Sequence, residues 1–434
     1  MGHALLERWK PTREDPWDRS AASHLFRRAG FGAGPRTLER ALAEGVEATL
    51  ESLCAPRGHD PALFEGIESL LASGNHELLR AWWMALLLGD GDPLGERVTL
   101  FWHDHFATSI AKVDDVRLMH RQNLALRELG LGDFRKLLHA LAKDPAMLVW
   151  LDGNENRRGQ PNENFAREVL ELFALGIGKY DERDIQEAAR AFTGWGTDGR
   201  RFVVRKDWHD GGTKTIFGKT GDFDGDDVLE LVLAHPACPR FVARRLIEEF
   251  VAVEPERAVV DALAGELVAN AWSIRKTLRT LLASKLFFAR DARRARIASP
   301  VELVVGTQLA LELSLAPLEA AEAAARMGQA LFRPPSVKGW DGGRTWINAG
   351  PWLERVNSGL AVAESFASGA RELSPAPRST ADAARTALDR LLADSADPEL
   401  ARAVSATAEA AASPNAALGD ALALILTAPE YHLA

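Results

Sequence analysis

The sequence predicts a mainly α-helical protein, a large multi-helix, bundle-like body with one small β-hairpin (about 201–218) and one ordered Gly/Trp-rich loop (about 332–352). Three observations predict it. Apolar residues recur three or four apart through most of the chain, these runs stop at Gly or Pro, and a single stretch sets β-branched and aromatic runs on either side of a turn. Residues 1–367 are expected to form the main domain, and 368–434 a linker and a C-terminal helical cap packed on it.

In chain order, helices are expected at about 18–29, 36–53, 76–89, 94–107, 115–129, 133–142, 162–175, 181–192, 226–234, 239–252, 256–269, 273–284, 300–313, 351–367 and 414–427. Gly30, Gly32 and Gly34 follow a helix rather than a strand, so they end it and are no dinucleotide fingerprint. Pro161 opens the run PNENFAREVLELF, in which Phe165, Val169, Leu172 and Phe173 form the buried stripe. RRFVVRKDWHDGGTKTIFG at 200–218 reads as two short strands around HDGG. Asp222, Asp224, Asp226 and Asp227 read as a helix N-cap cluster. The segment 332–352 holds too many glycines and prolines for a helix, and its tryptophans must be covered for the loop to be ordered. After about 368, SGARELSPAPRST is linker-like and Ala-rich helices follow. LRTLLASKLFFAR (278–290) echoes LALILTAPEYHLA (422–434), as a duplication or a coincidence of Leu/Ala-rich helices.

The 434 residues suffice for a sizeable core, and 47% hydrophobic with 26% charged residues is the balance of a folding chain. A net charge of −9 with scattered basic pairs argues against nucleic acid as a partner. The two cysteines, Cys54 and Cys238, offer neither a disulfide framework nor a thiolate metal site. No export signal opens the sequence and AWWMALLLG is too short to cross a bilayer, so no transmembrane segment and a cytoplasmic location are expected.

Several phrases together carry a family resemblance: HLFRRAGFGAGP (24–35), LFWHDHFATS (100–109), HRQN (120–123), KDPAMLVWLDGNENRRGQPNENFAREVLELFALGIGKY (143–180), AARAFTGW (188–195), WHDGGTKTIFGKTG (208–221), HPACPRFVARRL (235–246), SPVELVVG (299–306) and LFRPPSVKGWDGGRTWIN (331–348). In this order they resemble the bacterial family known as domain of unknown function 1800, over nearly the whole chain. The resemblance implies a mainly helical protein, many relatives of which are exported, and an alkaline-phosphatase-like or sulfatase-like partner. It implies no chemistry.

Chemistry must therefore be sought in the residues. His103 and His105 stand two apart in FWHDHF, where a continuous helix turns them to opposite sides; only a helix ending near Trp102 lets both bind one metal. Glu163, Arg167 and Glu171 succeed one another at i, i+4 and i+8, as a surface ladder would, whereas Glu163 and Glu168 flank the apolar stripe, where burial raises a carboxyl pKa. A divalent metal, if one is the cofactor, would draw on His103, His105, Glu163 and Glu168, with Asp152 and His209 as further donors, since neither HExxH nor Glu-x-x-His occurs.

His209-Asp210 reads as a turn or as an acid–base pair. TKTIFGKTG lacks the first glycine of a phosphate loop, Thr213 standing in its place. WLDGNENRRGQPNEN reads as turn-building or as a polar binding loop, with Asp152, Asn154, Asn156, Asn162 and Asn164 orienting a substrate and Arg157 or Arg158 pairing an anion. His120, Arg121 and Asn123 of HRQN, and Arg344 in the glycine-rich loop, complete the expected substrate contacts. Catalytic roles fall to His103, His105, Glu163, Arg167, Glu168 and His209. The leading expectation is metal-assisted hydrolysis or group transfer on a small molecule or peptide. The alternatives are a non-catalytic scaffold or binding protein whose polar motifs satisfy one another, and a non-haem metal oxidoreductase.

Overall fold

A computed structural model describes residues 3–89, 91–252, 254–393 and 396–434. Residues 1 and 2 of the stretch read for an export signal lie outside them, as do 90, 253, 394 and 395. The described residues are mainly helical, as the sequence predicts.

The helices are α1 (Arg19–Ala29), α2 (Pro35–Cys54), α3 (Ile67–Ser73), α4 (His76–Leu88), α5 (Pro93–His105), α6 (Ile110–Val113), α7 (Val116–Leu129), α8 (Phe134–Ala142), α9 (Pro145–Trp150), α10 (Glu163–Glu168), α11 (Glu182–Ala191), α12 (Gly225–Ala234), α13 (Ala237–Phe250), α14 (Arg257–Ala269), α15 (Ile274–Leu282), α16 (Lys285–Phe288), α17 (Pro300–Leu311), α18 (Pro317–Arg326), α19 (Ala349–Ala367), α20 (Thr380–Leu392), α21 (Pro398–Glu409) and α22 (Pro414–Thr427). Most of their starts follow from side-chain capping. Asp18, Asn75, Asp92, Asp115, Asp133 and Asp144 each accept a first-turn N–H, and Asp181, Asp224 and Ser299 build reciprocal capping boxes. The acidic run before α12 is thus the N-cap cluster its sequence suggests. α3, α6, α9, α16 and α18 were not among the expected helices.

α10 does not continue as an α-helix. From Val169 to Leu175 it widens into π-helical turns, closed by the Gly176 N–H donating to the Glu171 carbonyl five residues back. The widening moves the buried stripe: Ala166, Leu170, Ala174 and Leu175 join Phe165, Val169 and Phe173, and Leu172 is only partly covered.

Two of the four strands, at 202–204 and 214–216, lie within the expected 201–218; the other two flank it, and all four form two antiparallel pairs instead of one hairpin. β1 (Trp195–Thr197) pairs with β2 (Phe202–Val204), and β3 (Lys214–Ile216) with β4 (Lys219–Gly221). HDGG therefore links the two hairpins instead of closing one. Thr193 holds it in place: its hydroxyl accepts the Asp210 N–H at 2.7 Å and its carbonyl accepts a His209 ring N–H at 3.0 Å.

Two apolar cores share α5 as a wall. Val98, Phe101 and Trp102 face one core with α1, α2, α8 and α10–α15, while Leu100 faces another with α4 and α17–α22. Every residue from Leu94 to His103 is buried, so each polar group on this helix needs an internal partner. Glu96 accepts from Arg127 and from Trp83 Nε1 (2.8 Å), and Thr99 donates to the Gly95 carbonyl (2.8 Å). Arg97 lies between Glu249 of α13 (2.7 Å) and Glu302 of α17 (2.5 Å), tying the cores together. No helix among the described residues is long and apolar enough to cross a membrane.

Candidate functional site

α5 stays helical through His105, so the two histidines turn apart. His103 packs against Trp83, Phe332 and Trp340 at ring distances of 5.1–5.7 Å, and its Nε2 accepts the Phe332 N–H at 3.2 Å. That contact joins α5 to the Gly/Trp-rich loop. On the other side, His105 Nε2–H donates to the Phe173 carbonyl at 3.0 Å. Phe173 lies in the last π-helical turn, where carbonyls lack helical partners, so the imidazole serves as a cap. Burial pushes both rings down to about 3, which keeps them neutral.

Between them, Asp104 points at the loop its neighbour supports. It accepts the Trp340 N–H at 2.8 Å, and burial, opposed by that bond and by Arg245, pushes its carboxyl up to about 7. Asp104 is a polar anchor of the loop. Trp340 and Trp346 are buried and Trp352 packs on His432 at 4.7 Å, so these tryptophans clamp the loop to the helices. Arg344 stays exposed beside them.

The expected carboxylates form a separate surface group. Arg167 joins Glu163 (3.1 Å) to Glu182 of α11 (2.8 and 3.0 Å), and the ladder does not extend to Glu171. The π-helical turns begin at Val169 and shift Glu171 out of register, where it accepts from the Tyr180 hydroxyl instead. Burial, with Glu171 nearby, raises the Glu168 pKa. The expected metal set of His103, His105, Glu163 and Glu168 is therefore not assembled. Among the described residues no group of three or more His, Cys, Asp or Glu side chains is placed to hold a metal ion.

The HRQN segment turns inward. His120 packs edge-on against Trp82 at 4.7 Å and is pushed down to about 4, chiefly by burial and then by Arg127. Asn123 is buried with neither amide atom partnered in the protein, and Arg121 donates to the Arg200 carbonyl. The neighbouring Gln122 donates to Asp144, whose carboxyl burial pushes up to about 6. At HDGG, Asp210 pairs with Arg190 at 2.8 Å, and with His209 bound to the Thr193 carbonyl the two form no acid–base dyad. Lys214 is buried and donates to the Asp210 and Gly212 carbonyls, so it holds the turn, while Lys219, the lysine of the phosphate-loop-like stretch, opens strand β4 and no helix.

The amide-rich loop builds both a structure and a surface. Asp152, in the left-handed region (φ 60°), accepts from Lys112 (2.6 Å) and Asn164 (3.4 Å). Buried Asn156 bridges the Ala189 carbonyl and the Asn162 N–H, both at 2.9 Å, and Asn162 caps α10. The rim of the same loop opens a groove of about 680 Å³ lined by Asn154, Glu155, Arg157, Gln160, Asn162 and Glu163, with the half-buried Trp208 indole as its wall. Each of the three amides there spends its oxygen on the protein: Asn154 on the Thr197 N–H, Gln160 on Arg157 and Asn162 on the Asn164 N–H. Among the described residues, none of these three amide N–H groups donates a hydrogen bond. The pattern NENRRGQPNEN carried this signal; Trp208 was missed, because only the fold brings it beside the loop.

No curated protein matches the sequence and no solved structure matches it. A family model described as a protein of unknown function (DUF1800) matches residues 24–433, nearly the whole chain. The chain belongs to that family.

Proposed function

We propose that this protein is a non-catalytic binding protein whose groove at 154–163 and Trp208 takes a neutral, hydroxyl-rich ligand such as an oligosaccharide. The observation that carries this is the pairing of Trp208, one ring face of which carries the Arg205 guanidinium at 5.0 Å, with three amides whose N–H groups have no partner among the described residues. A flat aromatic face suits the C–H side of a sugar ring, amide N–H groups donate to its hydroxyl oxygens, and Glu155 accepts from its hydroxyls. Supporting the non-catalytic part, the three histidines of FWHDHF and HRQN are neutral core groups, and the carboxylates expected beside them lie on another face. In this reading the protein holds its ligand for a separate enzyme, such as the alkaline-phosphatase-like or sulfatase-like partner that the family resemblance implies.

An oligosaccharide array probed with labelled wild-type protein and Trp208→Ala tests the proposal. Binding to at least one class of oligosaccharide, weakened tenfold or more in the variant, is the expected outcome. No binding anywhere on the array, or equal binding by Trp208→Ala, contradicts it.

A further inference from the structure

A second cavity, of about 400 Å³, lies between the 31–37 turn and the helices α2, α4 and α5. Phe26, Phe31, Leu53, Leu86 and Leu87 give it apolar walls. Its mouth is cationic: Arg36, Arg40 and Arg57 line it, all three exposed, and none makes an ion pair among the described residues. Arg57 reaches only the Ser52 hydroxyl.

Two carboxylates share the cavity, and only one is free. Glu96, at the inner end, is committed to Arg127 and to His59 at 3.0 Å, while Glu44 sits exposed at the rim. The mouth therefore keeps a positive balance. α2 also begins here, behind Gly34 and without a side-chain cap; Pro35 has no N–H and the Thr37 N–H donates to the Gly34 carbonyl, so the helix end adds only the Arg36 N–H and the partial positive charge of its dipole.

We infer that this cavity binds a small amphipathic anion, its phosphate or carboxylate head held by Arg36 and Arg40 and its short apolar chain lying against Phe31, Leu86 and Leu87. Arginine presents its planar donor fork to either head. The volume lies in the range of small-molecule sites and matches a chain of several carbons. The inference does not depend on the oligosaccharide groove, which lies at a different part of the surface.

Calorimetric titration of the full chain with octyl phosphate and with octanoate, both below their micelle thresholds, tests it. Inorganic phosphate, ethyl phosphate and octanol serve as references, and the double variant Arg36→Glu/Arg40→Glu as the control protein. Because both arginines are exposed, the variant retains the fold, checked by an unchanged circular dichroism spectrum. The expected result is saturable binding of at least one octyl anion, ten times or more tighter than all three references and weakened tenfold or more in the variant. Preference for octyl phosphate identifies a phosphate head and preference for octanoate a carboxylate. Absence of binding, equal binding of octanol or inorganic phosphate, or undiminished binding by the variant overturns the inference.

Discussion

His105 sits where a helix runs out of partners for its own carbonyls, and that position explains it better than chemistry does. Its ring N–H caps Phe173, and its faces pack on Trp102 and Phe106 at 5.2 and 4.6 Å. His105→Ala should destabilise the protein by about 2–4 kcal/mol, from the lost packing and the orphaned carbonyl together. Urea unfolding measures this, and a loss below about 0.5 kcal/mol would contradict the capping role. At this scale the sequence was half legible. Helical geometry already separates His103 from His105, but a sequence cannot say which buried carbonyl or N–H each ring meets. The role of Asp104 was not legible for the same reason, since its partner is a backbone N–H more than two hundred residues away.

At the scale of elements, the Gly/Trp-rich loop is held by contacts that tolerate no added atom. Gly339 has φ 86°, and a Cβ there would press into the Asp104 carboxylate and the Asp104 carbonyl. Gly339→Ala therefore combines a left-handed backbone penalty with overpacking, about 2–4 kcal/mol in all, and should shift the Trp340 emission as the loop lifts from α5. An unchanged emission and an unfolding midpoint within error of wild type would count against the anchoring. The helices were legible because capping residues and apolar period agree over ten or more residues. The π-helical turns were not, because nothing in VLELFAL distinguishes them from α-helix, and the Arg167–Glu182 pair was hidden because it joins two different helices. The echo between 278–290 and 422–434 has a structural counterpart. Both segments end in a short helical turn against α1: the Phe287 carbonyl accepts from His24, and the Tyr431 ring lies 5.5 Å below Arg27.

For the whole molecule, burying so many neutral histidines has a price in acid. His24, His103 and His105 are pushed down to about 3, and His120 and His432 to about 4, burial being the first cause in each. A depressed histidine pKa means that the unfolded chain binds more protons below about 6.5, so stability is lost as pH falls from there towards the folded values. Asp104 and Asp144, raised to about 7 and about 6, act in the opposite sense, favouring the fold at low pH and losing that contribution as pH rises through 6–7. With five histidines against two carboxyls, unfolding free energy should drop by on the order of 5 kcal/mol between pH 7 and pH 5. Urea titrations across that range check this, and a flat or rising profile would contradict it. The overall helical architecture was legible from composition and period alone. The groove was legible only in its amide half, because Trp208 joins it through the hairpin fold.

The FWHDHF histidines are neutral parts of the core, and nitrogen NMR of the imidazoles from pH 3.5 to 8, with and without added zinc, reads their protonation and ligation ring by ring. The hydrogen bonds require opposite tautomers, Nδ1–H for His103, whose Nε2 accepts from Phe332, and Nε2–H for His105, whose Nε2 donates to Phe173. The account predicts those two tautomers, both rings neutral while the fold persists, and neither resonance moved by zinc. A ring that titrates near 6.5 in the folded protein, or a zinc-induced shift of both rings together, would contradict it.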